Sequence, residues 1–321
     1  MVHLMNPVYY IGFGAFTSFS TILYLYIIGI ILKYRDLRES AFYVLNVAMG
    51  ITDIGSIWTI YLFHRIPSYG LFKSIYLKFG SHSVFAAMCT NGFGFFNNTQ
   101  KYFLMAVGLN RFTAVVMPHT HKKTWTTKRC LRIIIGITIF NLTHVISAEV
   151  IGPSYYESQE NDTYNGLHCR MDNMLMYNID IQYNAFLSMF SAIATLSLYA
   201  VIIASLCTNR HKLTIAHSSR LNTFKVELKL TICVLFHTLL LALDGATAAL
   251  VFIGKQRAFL DANSVMQDFL SGCNPYLLLL FSSQLRQKVF WFLRANPLRT
   301  ITSERPQNVA VVPRYQITTT Q

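Results

Sequence analysis

The sequence predicts an all-α integral membrane protein: a bundle of seven transmembrane helices, N-terminus outside, with a short amphipathic helix after the seventh span. Three observations predict it. Seven stretches are long and apolar enough to cross a hydrocarbon core about 30 Å thick, which takes roughly 20 helical residues. The Lys and Arg residues between them fall in alternating loops. Apolar residues make up 53% of the 321-residue chain and charged residues 13%, with a mean hydropathy of +0.38, well above globular composition. Soluble domains bury single all-apolar helices, but not seven in series.

The spans are residues 8–32, 41–63, 85–107, 133–151, 181–206, 230–253 and 265–285. The first and fifth carry no charge, and the others carry one each: Asp53, Lys101, Glu149, Asp244 and Asp268. Residues 1–7 contain no Lys or Arg, and the apolar run after them is longer than a signal-peptide core. The first span therefore reads as an uncleaved helix. Of 27 Lys+Arg, Lys101 is intramembrane; Arg65, Lys73, Lys78, Arg170, Lys255 and Arg257 fall on one side, and the remaining 20 on the other. Basic loops stay cytoplasmic, which puts the C-terminus inside. The formal charge of +13 is then a topology signal and an attraction to anionic inner-leaflet lipid, not a nucleic-acid footprint.

Residues 1–294 form one membrane domain without internal repeats. The second outer loop, 152–180, is the longest connection and is acidic: Glu157, Glu160, Asp162, Asp172 and Asp180. After the seventh span, Leu285, Val289, Phe292 and Leu293 recur at helical spacing opposite basic residues, the pattern of a helix lying along the inner membrane surface. The tail, 295–321, is polar and reads as disordered.

Two of six cysteines fall on the outer side, Cys89 and Cys169. Cys89 precedes Arg111 by 22 residues, or roughly 33 Å of helix at about 1.5 Å per residue. If Arg111 marks the inner boundary, Cys89 marks the outer one. A disulfide to Cys169 suits that oxidising side; two unpaired cysteines are the alternative. Asn161-Asp162-Thr163 is a glycosylation sequon in the same outer loop, whereas the matches at Asn97 and Asn141 lie inside helices.

Helical phase points to the interior. At about 100° per residue, Phe93 shares the face of Arg111, Asn97 lies within about 40° of it, and Cys89 is similarly placed. If Arg111 points inward, Phe93 and Asn97 line an outward-open pocket; interhelical packing, with Asn97 as hydrogen-bonding glue, is the alternative. Lys101 near the midplane demands a partner, and Asp53 and Asp244 stand at suitable depth. Asn274-Pro275-Tyr276 breaks the seventh helix, because proline removes a backbone hydrogen bond that Asn can replace. Gln267 and Ser271 share the Asn274 face. Asn274, Pro275, Asp53 and Lys101 are the candidates for an activation switch.

No phosphate-binding glycine loop, no metal-spaced His/Cys cluster and no nucleophile–base set is evident, so the reading includes neither enzyme activity nor a cofactor or metal. The seventh span has no Lys for a retinal Schiff base. A transporter or ion channel could use Lys101, Asp53, Asp244 and Asp268 as an intramembrane relay. Many transporters carry inverted repeats and two broken helices, and one broken helix is found here.

The run Gly108-Leu109-Asn110-Arg111-Phe112, continuing through Pro118 to His121-Lys122-Lys123-Thr124-Trp125, resembles the third-helix signature of nematode serpentine chemoreceptors, gamma superfamily, class gamma or class v. Segments from Arg65 to Phe72 and from Asn274 to Leu277, with Ser282 to Arg286, are similar to the same family. The resemblance implies a G protein-coupled receptor that binds an environmental small molecule within the bundle and signals through a cytoplasmic heterotrimeric G protein. It also implies a multi-pass plasma-membrane location in sensory neurons, with the sensory cilium as a candidate site. Arg111 is the counterpart of the Arg in the Asp/Glu-Arg-Tyr motif, which engages the G protein once the sixth helix swings outward. Asn110 stands where the acid would be, so no Arg–carboxylate lock forms within the motif. Asn274-Pro275 resembles the Asn-Pro-x-x-Tyr motif, with Leu278 in place of the Tyr. The sixth helix has no Trp-x-Pro, leaving Gly245 as its one weak point. The first helix has no Asn to complete a sodium site at Asp53.

Overall fold

The computed structural model describes residues 7–158, 166–213, 218–254 and 257–295. The sequon at Asn161 and the tail from 296 onward lie outside the described residues. The chain is almost entirely helical: α1 (Pro7–Lys33), α2 (Ala41–Thr59), α3 (Phe93–Val116), α4 (Thr127–Ile151), α5 (Met174–Leu213), α6 (Ser218–Gly254), α7 (Arg257–Gly272, resuming as Asn274–Phe281) and α8 (Ser283–Ala295). Two strands, β1 (Ser154–Ser158) and β2 (Leu167–Met171), form an antiparallel hairpin in the second outer loop.

Five helices among the described residues are long and apolar enough to span a membrane: Ile11–Lys33, Ala41–Ser68, Thr127–Ile151, Met174–Thr208 and Leu228–Thr247. The two that fall short, α3 and α7, do so for physical reasons. α3 sits inside the bundle against α2, α4, α5 and α6, shielded from lipid, and so can be polar. α7 is interrupted at Cys273. The others close a ring around α3, with α7 against α6, α2 and α1.

Helix ends extend past the apolar spans. α5 runs to Leu213 and α6 starts at Ser218, because hydropathy detects only the lipid-immersed part of a helix, and polar turns continue into water. Asp180, expected in the outer loop, is for the same reason inside α5. α2 continues as a π-helical turn, Ile60–Arg65, and a last turn, Ile66–Ser68; α3 is entered through Val84–Ala87 and a π-helical turn, Met88–Gly92. Such turns shift side-chain phase, so Cys89 does not share the strict 100° register assumed for it with Arg111.

With no hydrophobic drive between helices in lipid, close approach and polar contacts hold them. Gly55 of α2 packs on the Phe96 ring of α3, where an added Cβ would lie 2.3 Å from the ring. Gly245, expected as a weak point, lies within an unbroken α6 and packs against Ser188 and Met189 of α5. It is a site of close contact between α5 and α6. α8 follows α7 with Leu285 and Val289 buried, and Lys288 sits 3.4 Å from Asp36 and over the Tyr34 ring.

Candidate functional site

Four helices meet at Asp53, which is fully buried. The Tyr24 hydroxyl of α1 donates to its Oδ2, Gln100 Nε2 of α3 donates to Oδ1 at 2.6 Å, and Asn274 Nδ2 of α7 reaches Oδ2 at 3.5 Å. Pro275 explains the geometry. It cannot donate to the carbonyl four residues earlier, Ser271, and the Tyr24 hydroxyl lies 3.1 Å from that freed oxygen. One tyrosine thus serves both the helix break and the carboxylate. Tyr276 anchors the next turn on α1 through Ser20 (3.2 Å) and a stack on Phe16.

Toward the outer end, the one assigned to the exterior by the basic-loop count, a narrow, closely packed crevice lies between α2, α3 and α7. It is lined by Ser56, Ile57, Ile60, Phe93, Gln267, Asp268 and Ser271. Three of the four residues expected to line a pocket, Phe93, Gln267 and Ser271, meet there. Asn97 is buried but not part of this lining.

The charged residues divide into separate groups. Lys101 is buried, yet its partner is not Asp53, which has its own three donors. Its Nζ lies 3.5 Å from Asn98 Oδ1 and from the Asn184 carbonyl, and the carboxylates acting on it are Asp244 and Asp180. Asp244 accepts from Ser188 Oγ at 3.4 Å and has the Gln267 amide beside it. Asp180 accepts from Asn184 Nδ2 and lies 3.6 Å from His144 Nε2. Asp268 belongs to Arg65: Nη1 lies 2.8 and 3.0 Å from its two oxygens, and Nη2 donates to the Ser264 carbonyl. Arg65 was expected in an outer loop; it is 4% exposed, with its guanidinium over Tyr61. The π-helical turn carries α2 a full turn further than its apolar run, which brings Arg65 back over the bundle. Lys101, Asp53, Asp244 and Asp268 therefore do not form one contiguous relay.

The hairpin caps the outer end. Its inward face presents Ser154, Tyr156, Leu167 and Met171, while Glu157 and Arg170 pair outward at 2.8 Å. Cys89 and Cys169 are joined in a disulfide with Cα atoms 6.3 Å apart. The Tyr156 hydroxyl donates to the carbonyls of Phe63 and Phe85. Burial raises its pKa above the ordinary tyrosine value, so it stays a donor at physiological pH. Glu149 accepts from Asn91 Nδ2, from the Ser154 amide and from Ser154 Oγ, tying α4 to the cap. Gly166 passes so close to α2 that an added Cβ would lie 1.9 Å from the Ser68 carbonyl oxygen.

At the inner end Arg111 is buried, its guanidinium 3.8 Å from the centre of the Phe42 ring and close to Tyr199 and Cys233. Asn110 is also buried, and its Nδ2 has no hydrogen-bond partner among the described residues. Among those residues no group of three or more His, Cys, Asp or Glu is placed to hold a metal.

Tyr24, Gln100, Arg65 and Asn184 were not singled out from the sequence. Gln100 offered a signal, a second amide beside Lys101 in an interior helix. Tyr24, one tyrosine among several in α1, offered none.

A family model described as serpentine type 7TM GPCR chemoreceptor Srv matches residues 13–295. No curated protein matches the chain.

Proposed function

This chain belongs to the Srv family of serpentine seven-transmembrane chemoreceptors, and we propose from that premise that it binds an environmental small molecule in its outer half and signals through a heterotrimeric G protein. One observation carries the reading: the crevice of Phe93, Gln267 and Ser271 touches the broken turn of α7, and the residues of that break reach Asp53. A ligand wedged against Gln267 and Ser271 bears on the one helix with a built-in joint. A shift there alters the contacts of Asn274 and Tyr24 with Asp53, and hence the packing of α1, α2 and α3. A ligand acts in this way only through unequal affinity for the two arrangements.

At the other end, Arg111 and Asn110 form the coupling element; both are covered, and outward movement of α6 would expose them to a G protein. The protein works at the plasma membrane of a sensory cell, the sensory cilium included. The disulfide and a glycan at Asn161 belong to its outer surface.

The test is Arg111→Ala in cells expressing the receptor with a G protein-coupled calcium reporter and challenged with an odorant library. The variant should reach the surface in amounts within about twofold of the parent and lose the response. An undiminished response removes Arg111 from coupling. Asn274→Ala, tested alongside, should shift the ligand concentration for half-response while sparing surface delivery.

A further inference from the structure

Pro275 has a counterpart at the outer end of α2. Pro67 has no N–H to donate to the carbonyl four residues earlier, Phe63, and the Tyr156 hydroxyl of the hairpin donates to that oxygen at 2.7 Å. A tyrosine from another element thus meets each proline-freed carbonyl, Tyr24 at Ser271 and Tyr156 at Phe63. Phe63 lies within the π-helical turn Ile60–Arg65. The carbonyl before it, that of Leu62, accepts from the Tyr76 hydroxyl.

The same turn aims Arg65. A π-helical turn takes in one extra residue, worth about 100° of helical phase, so in a regular α-helix Arg65 would face elsewhere. As built, it is buried, with Nη1 2.8 and 3.0 Å from the two oxygens of Asp268 and Nη2 3.3 Å from the Ser264 carbonyl. Both partners belong to the outer half of α7, before the break at Cys273. On its other flank that half meets α6 through Thr247 and Asn263, 3.1 Å apart. Loss of the Arg65 pair would leave this contact in place and free the flank that faces α2.

We infer that Arg65 is a positioning residue for activation: its pair with Asp268 straps the outer half of α7 to α2 in the resting arrangement, and the hairpin, through Tyr156 on the Phe63 carbonyl, keeps the π-helical turn that aims it. The inference rests on the reading of the bundle as a signalling receptor and adds the hairpin to its moving parts. The resting arrangement is the one described above, with Arg111 and Asn110 buried. The two-state element is the turn itself, either π-helical with Arg65 on Asp268 or α-helical with Arg65 rotated away. A buried guanidinium and carboxylate parted from each other are costly, so the two states are discrete. Disturbing the hairpin then bears on the joint at Ser271 and Asn274 without touching it.

The experiment crosses Tyr156→Phe with Asp268→Asn in the full-length receptor. Tyr156 bonds to the Phe63 and Phe85 carbonyls and Asp268 to Arg65, so independent effects would add. In lipid nanodiscs each single variant should lower the unfolding temperature, and the double variant should fall no further than the larger single fall. In cells carrying a G protein reporter, each single variant should raise ligand-free signalling at least threefold at matched surface amounts, again without addition. Because Asp268→Asn could fail to reach the surface, Arg65→Lys, which keeps the charge but not the two-pronged contact, takes its place in the cycle. Additive falls in unfolding temperature overturn the inference. So does ligand-free signalling unchanged in Tyr156→Phe and in its partner variant while the parent responds to the odorant library. Coupled unfolding in a receptor that never engages the reporter leaves the strap standing and removes the signalling reading.

Discussion

α3 and α4 are neighbours of nearly equal length, 24 and 25 residues, and they follow opposite rules. In α3 thirteen residues are buried, and seven of those are polar or charged: Asn97, Asn98, Thr99, Gln100, Lys101, Asn110 and Arg111. In α4 only Cys130, Asn141 and Ala148 are buried, while Ile135, Ile139, Phe140, Ile146 and Val150 are exposed at the bundle surface. In water this arrangement would be inside out. In lipid it is the expected one, since hydrocarbon solvates the apolar helix and the bundle interior is the one place where polar side chains find partners. Apolar sequence thus marks what touches lipid, and the least apolar span marks the centre.

Substitutions in the two helices can break or sharpen this contrast. The largest effect is expected from Phe103→Ala in α3, where the ring is 1% exposed; the cavity should cost about 3–5 kcal/mol, read as a lower unfolding temperature of the purified receptor. A loss no larger than that of a surface change would mean α3 is not the packed centre. Next come Cys89→Ser and Cys169→Ser, which release the outer end of α3 from the hairpin. The bond closes a separation of 80 residues, so each single change should cost about 4 kcal/mol. The double variant should cost no more, and additive losses would deny the pairing. Glu149→Ala removes a polar anchor of α4, which serves Asn91 and Ser154; about 1–3 kcal/mol is expected from stranding those donors. The smallest change belongs to Ile139→Ala on the exposed face of α4, within about 0.5 kcal/mol. A cost above about 2 kcal/mol there would mean that face meets protein, and crosslinking between copies would identify a dimer contact.

The contrast also explains what was legible. Helical phase counted back from Arg111 reached Phe93, and phase along α7 reached Gln267 and Ser271, because regular helices preserve angle over several turns. The same count put Cys89 on the interior side, where it is buried, although the π-helical turn Met88–Gly92 breaks the strict register there. Lys101 announced its need for a partner by its chemistry. Which carboxylate answers depends on helix rotation, and α2 turns Asp53 toward Tyr24, Gln100 and Asn274 instead. The hairpin escaped notice because its alternation spans only five residues per strand, too short a signal against an acidic, polar loop.

Sequence alone determined the class of environment and the identity of the joint. Apolar length, basic-loop asymmetry and a proline in the seventh span are local properties, each acting on the chain regardless of its neighbours. Tertiary structure decided every pairing: Arg65 with Asp268, Tyr24 with both Asp53 and the Ser271 carbonyl, Gln267 beside Asp244. Those partners lie up to 247 residues apart, and they meet only because helices pack at particular rotations about their own axes. A linear pattern places a residue on a face; what that face meets is settled by the other helices.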